Sequence, residues 1–421
     1  MTKLTRRTVT VTGTLAALAA PALIGRRAWA ADTVRIGAPY PLSGQAASAG
    51  ISVKDAIEVG VQIVNEAHPE MKDVPLAATA GLPGLGGRKI ELIVADHQGN
   101  PATAQSQALR LITQEKVAAI IGAYQSSCVL TASQVAERYG IPFLTGEAAS
   151  PNLTERGFKW FFRTTPIGTD FGAAYADFLL EAKAHGTRVE KVALVNENTE
   201  YGTSVGDAIA KAIEAKGLKI SLRIPYSANA TDMSSQVLQL KNDSPDVVIF
   251  ISYTSDAILY IKTMRNLNYK PSIIIGDDSG FSDASFVEAV GDITEGVINR
   301  SSYSVGKPGS ASFIANELFR KKTGRDLDDT SARGMQGLLT LAEAINRAGS
   351  TEPAKIQAAL RATDLKANQL IIGYDGVKFD DKGQNIKAST LLVQLRARKW
   401  LTVWPSAAAE TPLQLPFKGW N

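Results

Sequence analysis

Cysteine is nearly absent. Cys128 stands alone in 421 residues, so the chain can form no internal disulfide. It falls at the start of a helical pattern, where the reading is a small packing residue rather than a reactive thiol. Histidine is almost as scarce: His68, His97 and His185 stand far apart, without the spacing of a histidine-based metal site. No Walker A or G-x-G-x-x-G segment follows a strand pattern, and no nucleophile elbow is read. Hydroxyls are plentiful, but none stands beside an obvious base. Two candidate site pairs remain: Asp96-His97, read as a cap for the turn that follows, and Asp277-Asp278, read as one cap and one cleft residue.

A large excess of charge of one sign is missing too. The formal net charge is +4, but residues 1–30 carry Lys3, Arg6, Arg7, Arg26 and Arg27 and no acid. Setting those five aside reduces 45 basic residues to 40 against 41 acidic ones, a balance of −1. That leaves no basic footprint for nucleic acid. The same 30 residues have a basic start, a mildly apolar middle and a small-x-small ending, Ala28-Trp29-Ala30. This is the pattern of a signal peptide cleaved after Ala30, and Thr5-Arg6-Arg7 resembles the twin-arginine type. The expectation is a soluble, periplasmic protein. No cysteine lies near the cleavage site to carry a lipid.

What is present is strand–helix alternation, at a length that suggests two domains. Hydrophobic content of 45% and charge of 20% are ordinary for a globular chain. Residues 118–154 organise the pattern. Ala118–Gly122 is a short apolar run, Ala123–Ser127 a polar loop, and a helix follows to Tyr139 with Gly140 as its C-cap. Ile141–Leu144 is the next strand and Thr145–Ser150 a second small, polar loop. Both loops leave carboxyl ends of strands, where open α/β sheets bind ligands. They offer hydroxyls and N–H groups for an anion, without a built-in base.

Strands are also expected at Thr33–Ala38, Lys89–Asp96 and Trp160–Arg163, and Thr164–Pro166 reads as a crossing. The pattern then restarts, with strands at Lys191–Asn196, Leu218–Tyr226, Val247–Ser252 and Ser272–Gly276. Gly296–Tyr303 reads as a return crossing, and Gly376–Phe379 and Ser389–Leu395 as closing strands. His68–Gly87, rich in Pro, Gly and Ala, is expected to be an exposed loop. The fold class is α/β, with two doubly wound parallel sheets.

Several segments together resemble one family: IGAPYPLSG (36–44), IIGAYQSSC (120–128), IPFLTGEAASPNLTERG (141–157), FFRTTP (161–166), VALVNENTEYG (192–202), DVVIFISYTSDA (246–257) and IIGDDSG (274–280). Over residues 33–400 the chain resembles the periplasmic substrate-binding proteins of ABC transporters, in the leucine/isoleucine/valine-binding group. The resemblance implies two lobes joined by a three-strand hinge and closing on a ligand. Lobe one would take residues 31–164 and about 299–375, and lobe two residues 165–298 and about 376–421. It implies no catalysis, no cofactor and no metal. The partners implied are a small-molecule ligand (an amino acid, amide or related carboxylate) and a membrane ABC permease, with the chain a monomer.

Carried over by position, Ser126 or Ser127 meets the ligand carboxylate. The Glu147-Ala148-Ala149 loop supplies backbone, with Ala149 where the family has threonine. Tyr201 and Tyr253 form walls, and Asp278, beside Asp277, pairs the ligand ammonium. Ala149 and Glu147 depart from an aliphatic amino-acid site. Two other readings stay open, a sensor docking a membrane receptor and an exported amide hydrolase.

Overall fold

The computed structural model describes residues 33–420 apart from Asp278; the signal-peptide reading and Asp278 lie outside the described residues. The first sheet contains β1 (Val34–Tyr40), β2 (Ile90–Asp96), β3 (Ala119–Ile121), β4 (Phe143–Thr145) and β5 (Phe161–Arg163). All are parallel, in the order β2-β1-β3-β4-β5. Their connections carry α1 (Ala47–Asn65), α2 (Pro101–Thr113) and α3 (Ser126–Tyr139). Strands this short and fully buried suit a sheet covered on both faces.

After β5 the chain builds a second sheet. It runs through α4 (Gly168–Ala184), β6 (Val192–Glu197), α5 (Glu200–Ala215), β7 (Ile220–Tyr226), α6 (Ser234–Asp243), β8 (Val247–Ile251), α7 (Thr254–Asn266) and β9 (Ile273–Gly276). Two short helices, α8 (Ser279–Ser282) and α9 (Ala284–Val290), lead to β10 (Ile298–Ser301). The parallel part reads β7-β6-β8-β9-β10, the order of the first sheet repeated. The segment read as a return crossing is thus itself largely a strand, β10. Its neighbour on the other side is β13 (Leu391–Arg396), antiparallel, and β14 (Lys399–Trp404) completes the edge.

Between β10 and β13 the chain returns to the first sheet. It forms α10 (Ala311–Thr323), α11 (Asp329–Ala348) and α12 (Pro353–Arg361). α11 packs along α1 so closely that a Cβ on Gly60 would come within 2.8 Å of Leu338. Gly376–Lys378 (β12) does not enter either large sheet. It pairs with Asp364–Lys366 (β11) in a small antiparallel ladder.

His68–Gly87 is a packed segment rather than an exposed loop. Met71, Val74, Ala77 and Leu82 are buried, and Gly81 N–H bonds to Val64 O at 2.8 Å. Its apolar residues are too scattered to show a helical or strand period, yet they fold back on the end of α1.

The passages between the sheets are sewn together. Arg163 N–H donates to Gly383 O and Asn385 N–H to Arg163 O. Gln384 Nε2 donates to Thr165 O at 2.9 Å, and Asn385 Nδ2 to Thr164 O at 3.0 Å. At the third passage, Ser302 Oγ donates to Ser389 O and Ser302 N–H to Asp329. The Arg163 guanidinium is fully buried. It holds Gln384 Oε1 (2.7 Å), Ser150 O (2.5 Å), Ala148 O (3.2 Å) and Thr154 Oγ1 (2.9 Å). Burial, with a smaller push from the nearby Arg156 charge, pulls its pKa down to about 9, so it stays charged near neutrality. Arg163→Met should therefore lower unfolding stability by about 2–4 kcal/mol in urea titrations, because buried acceptors lose their donor. Lys355→Met, at an exposed pair with Glu352, should change it by less than about 1 kcal/mol.

Candidate functional site

In each sheet the strand order reverses direction between the first-formed strand and the third: β1/β3 in one, β6/β8 in the other. Such switch points leave a crevice at the carboxyl ends of the strands. The loops after β3, β4, β6 and β8 meet there. Tyr124, Ser126, Glu147, Ala148 and Ala149 from the side of the first sheet and Tyr201, Tyr253 and Arg300 from the side of the second line one cleft with about 10 Å³ of free space. None of these eight is more than 7% exposed. The free space is far below the roughly 300–1,000 Å³ of ligand sites, so the side chains of the two walls nearly meet.

Of the residues singled out from sequence, the cleft lining gathers Ser126, Glu147, Ala148, Ala149, Tyr201 and Tyr253. Ser127, the next residue of α3, is half-buried and lies outside the lining. Gln125, not a serine, stands at the N-cap. Ser126 Oγ is thereby left for another task and accepts from Ser150 N–H at 3.4 Å, tying the two first-lobe loops together. Tyr124 sits at φ +64°, a left-handed conformation that costs a non-glycine residue energy and recurs at binding sites.

Glu147 contributes to the wall, but its carboxylate is occupied within its own lobe. Tyr40 Oη donates to one oxygen at 3.0 Å and Thr145 Oγ1 to the other at 3.3 Å. Burial pushes this carboxyl above the usual range, against the pull of Arg333 and Tyr40. Arg333 also holds the loop itself, donating to Glu147 O at 3.1 Å and to Thr165 Oγ1 at 2.8 Å. The loop lies directly on α11, where a Cβ on Gly146 would be 2.5 Å from Arg333 O.

On the opposite wall, Glu197 accepts from Gly202 N–H (2.6 Å) and Thr199 Oγ1 (2.8 Å) and so fixes the start of α5. Tyr201 follows from that geometry. Its ring centroid is 5.3 Å from that of Tyr253, which is 5.9 Å from that of Tyr124. The three rings give apolar surface with polar edges. Behind them lies Asp277, fully buried. It accepts from Tyr175 Oη (2.6 Å) and Tyr201 Oη (2.8 Å) and pairs with Arg300 Nε (2.9 Å). The Arg300 guanidinium carbon also sits 3.5 Å from the Phe171 ring centroid.

Sequence reading missed Tyr124, Tyr175, Arg300 and Arg333. Only Arg300 carried a local signal, a lone charge following the apolar Val297-Ile298. Reading also missed that Gly202–Gly206 spells G-x-S-x-G. The string lies inside α5, not at a strand-to-helix elbow, and Ser204 Oγ donates to Glu200 O. Asp96 caps as expected, accepting from Leu42 and Gln98 N–H. His97 is buried; Gly99 N–H donates to its Nδ1 and its Nε2 faces Ala123 O at 3.1 Å.

Two rim contacts join the lobes outside the cleft. Ser150 Oγ (2.6 Å) and Asn152 Nδ2 (2.9 Å) both donate to Glu200 Oε1, and Ser48 Oγ donates to Asp283 Oδ1 at 2.9 Å.

Residues 33–399 match the family described as periplasmic binding protein. A curated relative, Leu/Ile/Val-binding protein homolog 7 of Brucella suis biovar 1 (strain 1330), is 32% identical over 413 residues, covering 96% of this chain and 99% of that one. This chain belongs to the periplasmic binding protein family. Two solved structures share the fold. One is the branched-chain amino acid transporter substrate binding protein LivJ from Streptococcus pneumoniae, in complex with isoleucine. Its TM-score is 0.74 at 19% identity, covering 91% of this chain and 100% of that one. The other is a solute binding protein of an ABC transporter from Rhodopseudomonas palustris BisB5, in complex with 3,4-dihydroxy benzoic acid. Its TM-score is 0.73 at 18% identity, covering 92% and 98%. The fold is thus that of type I periplasmic binding proteins. No described helix is long and apolar enough to cross a membrane.

Cys128 is buried beneath the same loop, and burial pushes its thiol up to about 12 from an ordinary 9.0. Its deprotonation is therefore deferred to strongly alkaline pH. In the folded protein a maleimide should react with it at least about 100-fold more slowly than in concentrated urea, measured at mildly alkaline pH.

Proposed function

We propose that the chain is an extracytoplasmic solute-binding protein that captures a small amino acid, amide or related carboxylate in this cleft and delivers it to an ABC permease. The observation that carries the reading is the convergence of hydroxyl, backbone and tyrosine groups from both lobes on one closed space. Ser126 and the N-terminus of α3 face an acceptor group of the ligand. Ala148 and Ala149 let the ligand approach backbone. Tyr201 and Tyr253 flank its apolar part. Closure about the three passages buries the ligand, and the permease reads the closed form. The protein acts as a monomer after export and removal of residues 1–30, and ATP is consumed by the partner.

The rim contacts give the closed form part of its stability. A thermal-shift screen of the mature protein against amino acids, amides and carboxylates should find a ligand that adds about 2.7 kcal/mol at 100 times its dissociation constant. With that ligand, Glu200→Ala should weaken binding roughly 5- to 30-fold, equivalent to about 1–2 kcal/mol of lost closure, with the unliganded fold unchanged by circular dichroism. Addition of the liganded protein to the reconstituted permease should stimulate its ATPase. A panel without a single stabilising compound would count against capture.

A further inference from the structure

The rim contact between Ser48 and Asp283 belongs to a larger group of oxygens. Asp283 is buried at the start of α9, on the side of the second sheet. Its Oδ1 accepts from Ser285 N–H (2.8 Å), from Ser285 Oγ (2.7 Å) and, across the rim, from Ser48 Oγ of α1 (2.9 Å). Thr254 Oγ1 donates to its Oδ2 at 3.3 Å. One turn further along α1, Ser52 Oγ donates to Asp328 Oδ2 at 3.1 Å. Asp328 caps α11, on the side of the first sheet, and accepts from Ser331 N–H at 2.7 Å. Two serines four residues apart share a face of α1, and each holds a carboxylate from a different side of the rim.

Neither carboxylate has a lysine, arginine or histidine partner among the described residues. The neighbouring charges are taken elsewhere. On α1, Lys54 pairs with Asp55 and Glu58. On the stretch around Asp328 itself, Asp326 pairs with Arg320 of α10 and Asp329 with Arg333. From the end of β10, Tyr303 faces both Asp326 and Asp328. Burial, and then the facing charge of Asp283, push the Asp328 carboxyl up to about 7 from an ordinary 3.8. Only Ser331 and Ser52 donate against that push, whereas Asp283 has four donors. Asp328 is therefore the member of the pair that takes the proton.

We infer that Asp328 and Asp283 form a proton-operated latch across the rim of the cleft. Uptake of one solvent proton by Asp328 turns a like-charge pair into a compatible one and favours the arrangement in which the two sides are joined. When the sides part, Asp328 loses the facing charge and regains water, and its pKa returns toward the ordinary carboxylate range. The raised value belongs to the joined state, so that state gains stability as pH falls through about 7 and loses it as pH rises through the same value. The consequence for capture, which rests on the binding reading above, is tighter binding in mildly acidic medium.

The first test needs no ligand. Urea unfolding of the full mature protein is followed at about pH 7.5 and about pH 5.5, and the midpoint should rise by about 0.5 M at the lower pH. Asp328→Asn, which keeps a capping side chain, should lose at least half of that rise and start from a higher midpoint at the upper pH. Asp283→Asn, which removes the facing charge, should lose a quarter or more. Folding of both variants is checked by circular dichroism. A rise that Asp328→Asn leaves intact overturns the role of Asp328. A rise lost in Asp328→Asn but untouched in Asp283→Asn makes Asp328 a lone titrating group and overturns the latch. The second test uses isoleucine and 3,4-dihydroxybenzoic acid, the molecules carried by the two comparison structures, in titration calorimetry at the same two pH values. Whichever binds should do so about 5- to 25-fold tighter at the lower pH, and within about two-fold at both in Asp328→Asn. Equal affinity in the unsubstituted protein overturns the coupling of the latch to capture and leaves the binding reading intact. Binding of neither weighs on the binding reading alone, and the urea series then decides the latch.

Discussion

A guanidinium loses much of its hydration free energy when it is buried, and only well-placed acceptors offset the loss. Arg163, Arg300 and Arg333 are among the largest fully buried side chains in the protein. Each stands where the chain passes between sheets or turns toward the cleft. Arg163 draws the carbonyls of Ala148 and Ser150 toward Gln384. Arg333, anchored on Asp329, reaches the carbonyl of Glu147 and the hydroxyl of Thr165. The loop after β4 is thus held at three carbonyls, those of Glu147, Ala148 and Ser150, by groups that also grip the passages. The floor of the cleft and the passages between the sheets are one hydrogen-bonded unit, so a shift at the passages would carry to the cleft.

Much of this architecture was legible in the chain. Short apolar runs such as Val247–Ile251 admit little other than a buried strand, and Gly140, at φ +65°, ends α3 where expected. The cleft loops were found because strand carboxyl ends are where free backbone groups collect. What was missed has a common cause. Tyr175 and Arg333 lie on helices far in sequence from the loops they support, and no local pattern announces a long-range partner. Arg300 was hidden by reading β10 as a connector, since four residues of mixed polarity do not show the period of a strand. The segment 68–87 misled through its composition: glycine and proline mark turns, but turns can pack. Asp277 and Asp278 were read as one helix cap and one cleft residue; Asp278 lies outside the described residues. The duty of Asp277 proved to be holding a cation, which only its neighbours in space reveal.

The comparison structures make a related point. One carries isoleucine and the other a dihydroxybenzoic acid, on folds that match this one about equally well. The scaffold supplies two facing sets of strand ends, and a few side chains at those ends set what is held. In this protein the first-lobe loop is built from alanines and carbonyls, with little side-chain bulk at Ala148 and Ala149. The bulk of the lining comes instead from the rings of Tyr124, Tyr201 and Tyr253.

α1 presents Val53, Ala56, Ile57, Val59 and Gly60 on buried positions, and α11 provides much of what covers them. α11 begins at Asp329, late in the chain. The first sheet to emerge during synthesis is therefore among the last to be roofed. Until α11 arrives, the nascent chain lacks the element that covers this apolar face in the folded protein. Contacts so distant in sequence are slow to form, and partly covered intermediates of this kind are prone to associate. An architecture that returns the chain to its first sheet after building the second ties the cleft to the passages between them. It also makes completion of the fold a late event, dependent on the whole length of the chain.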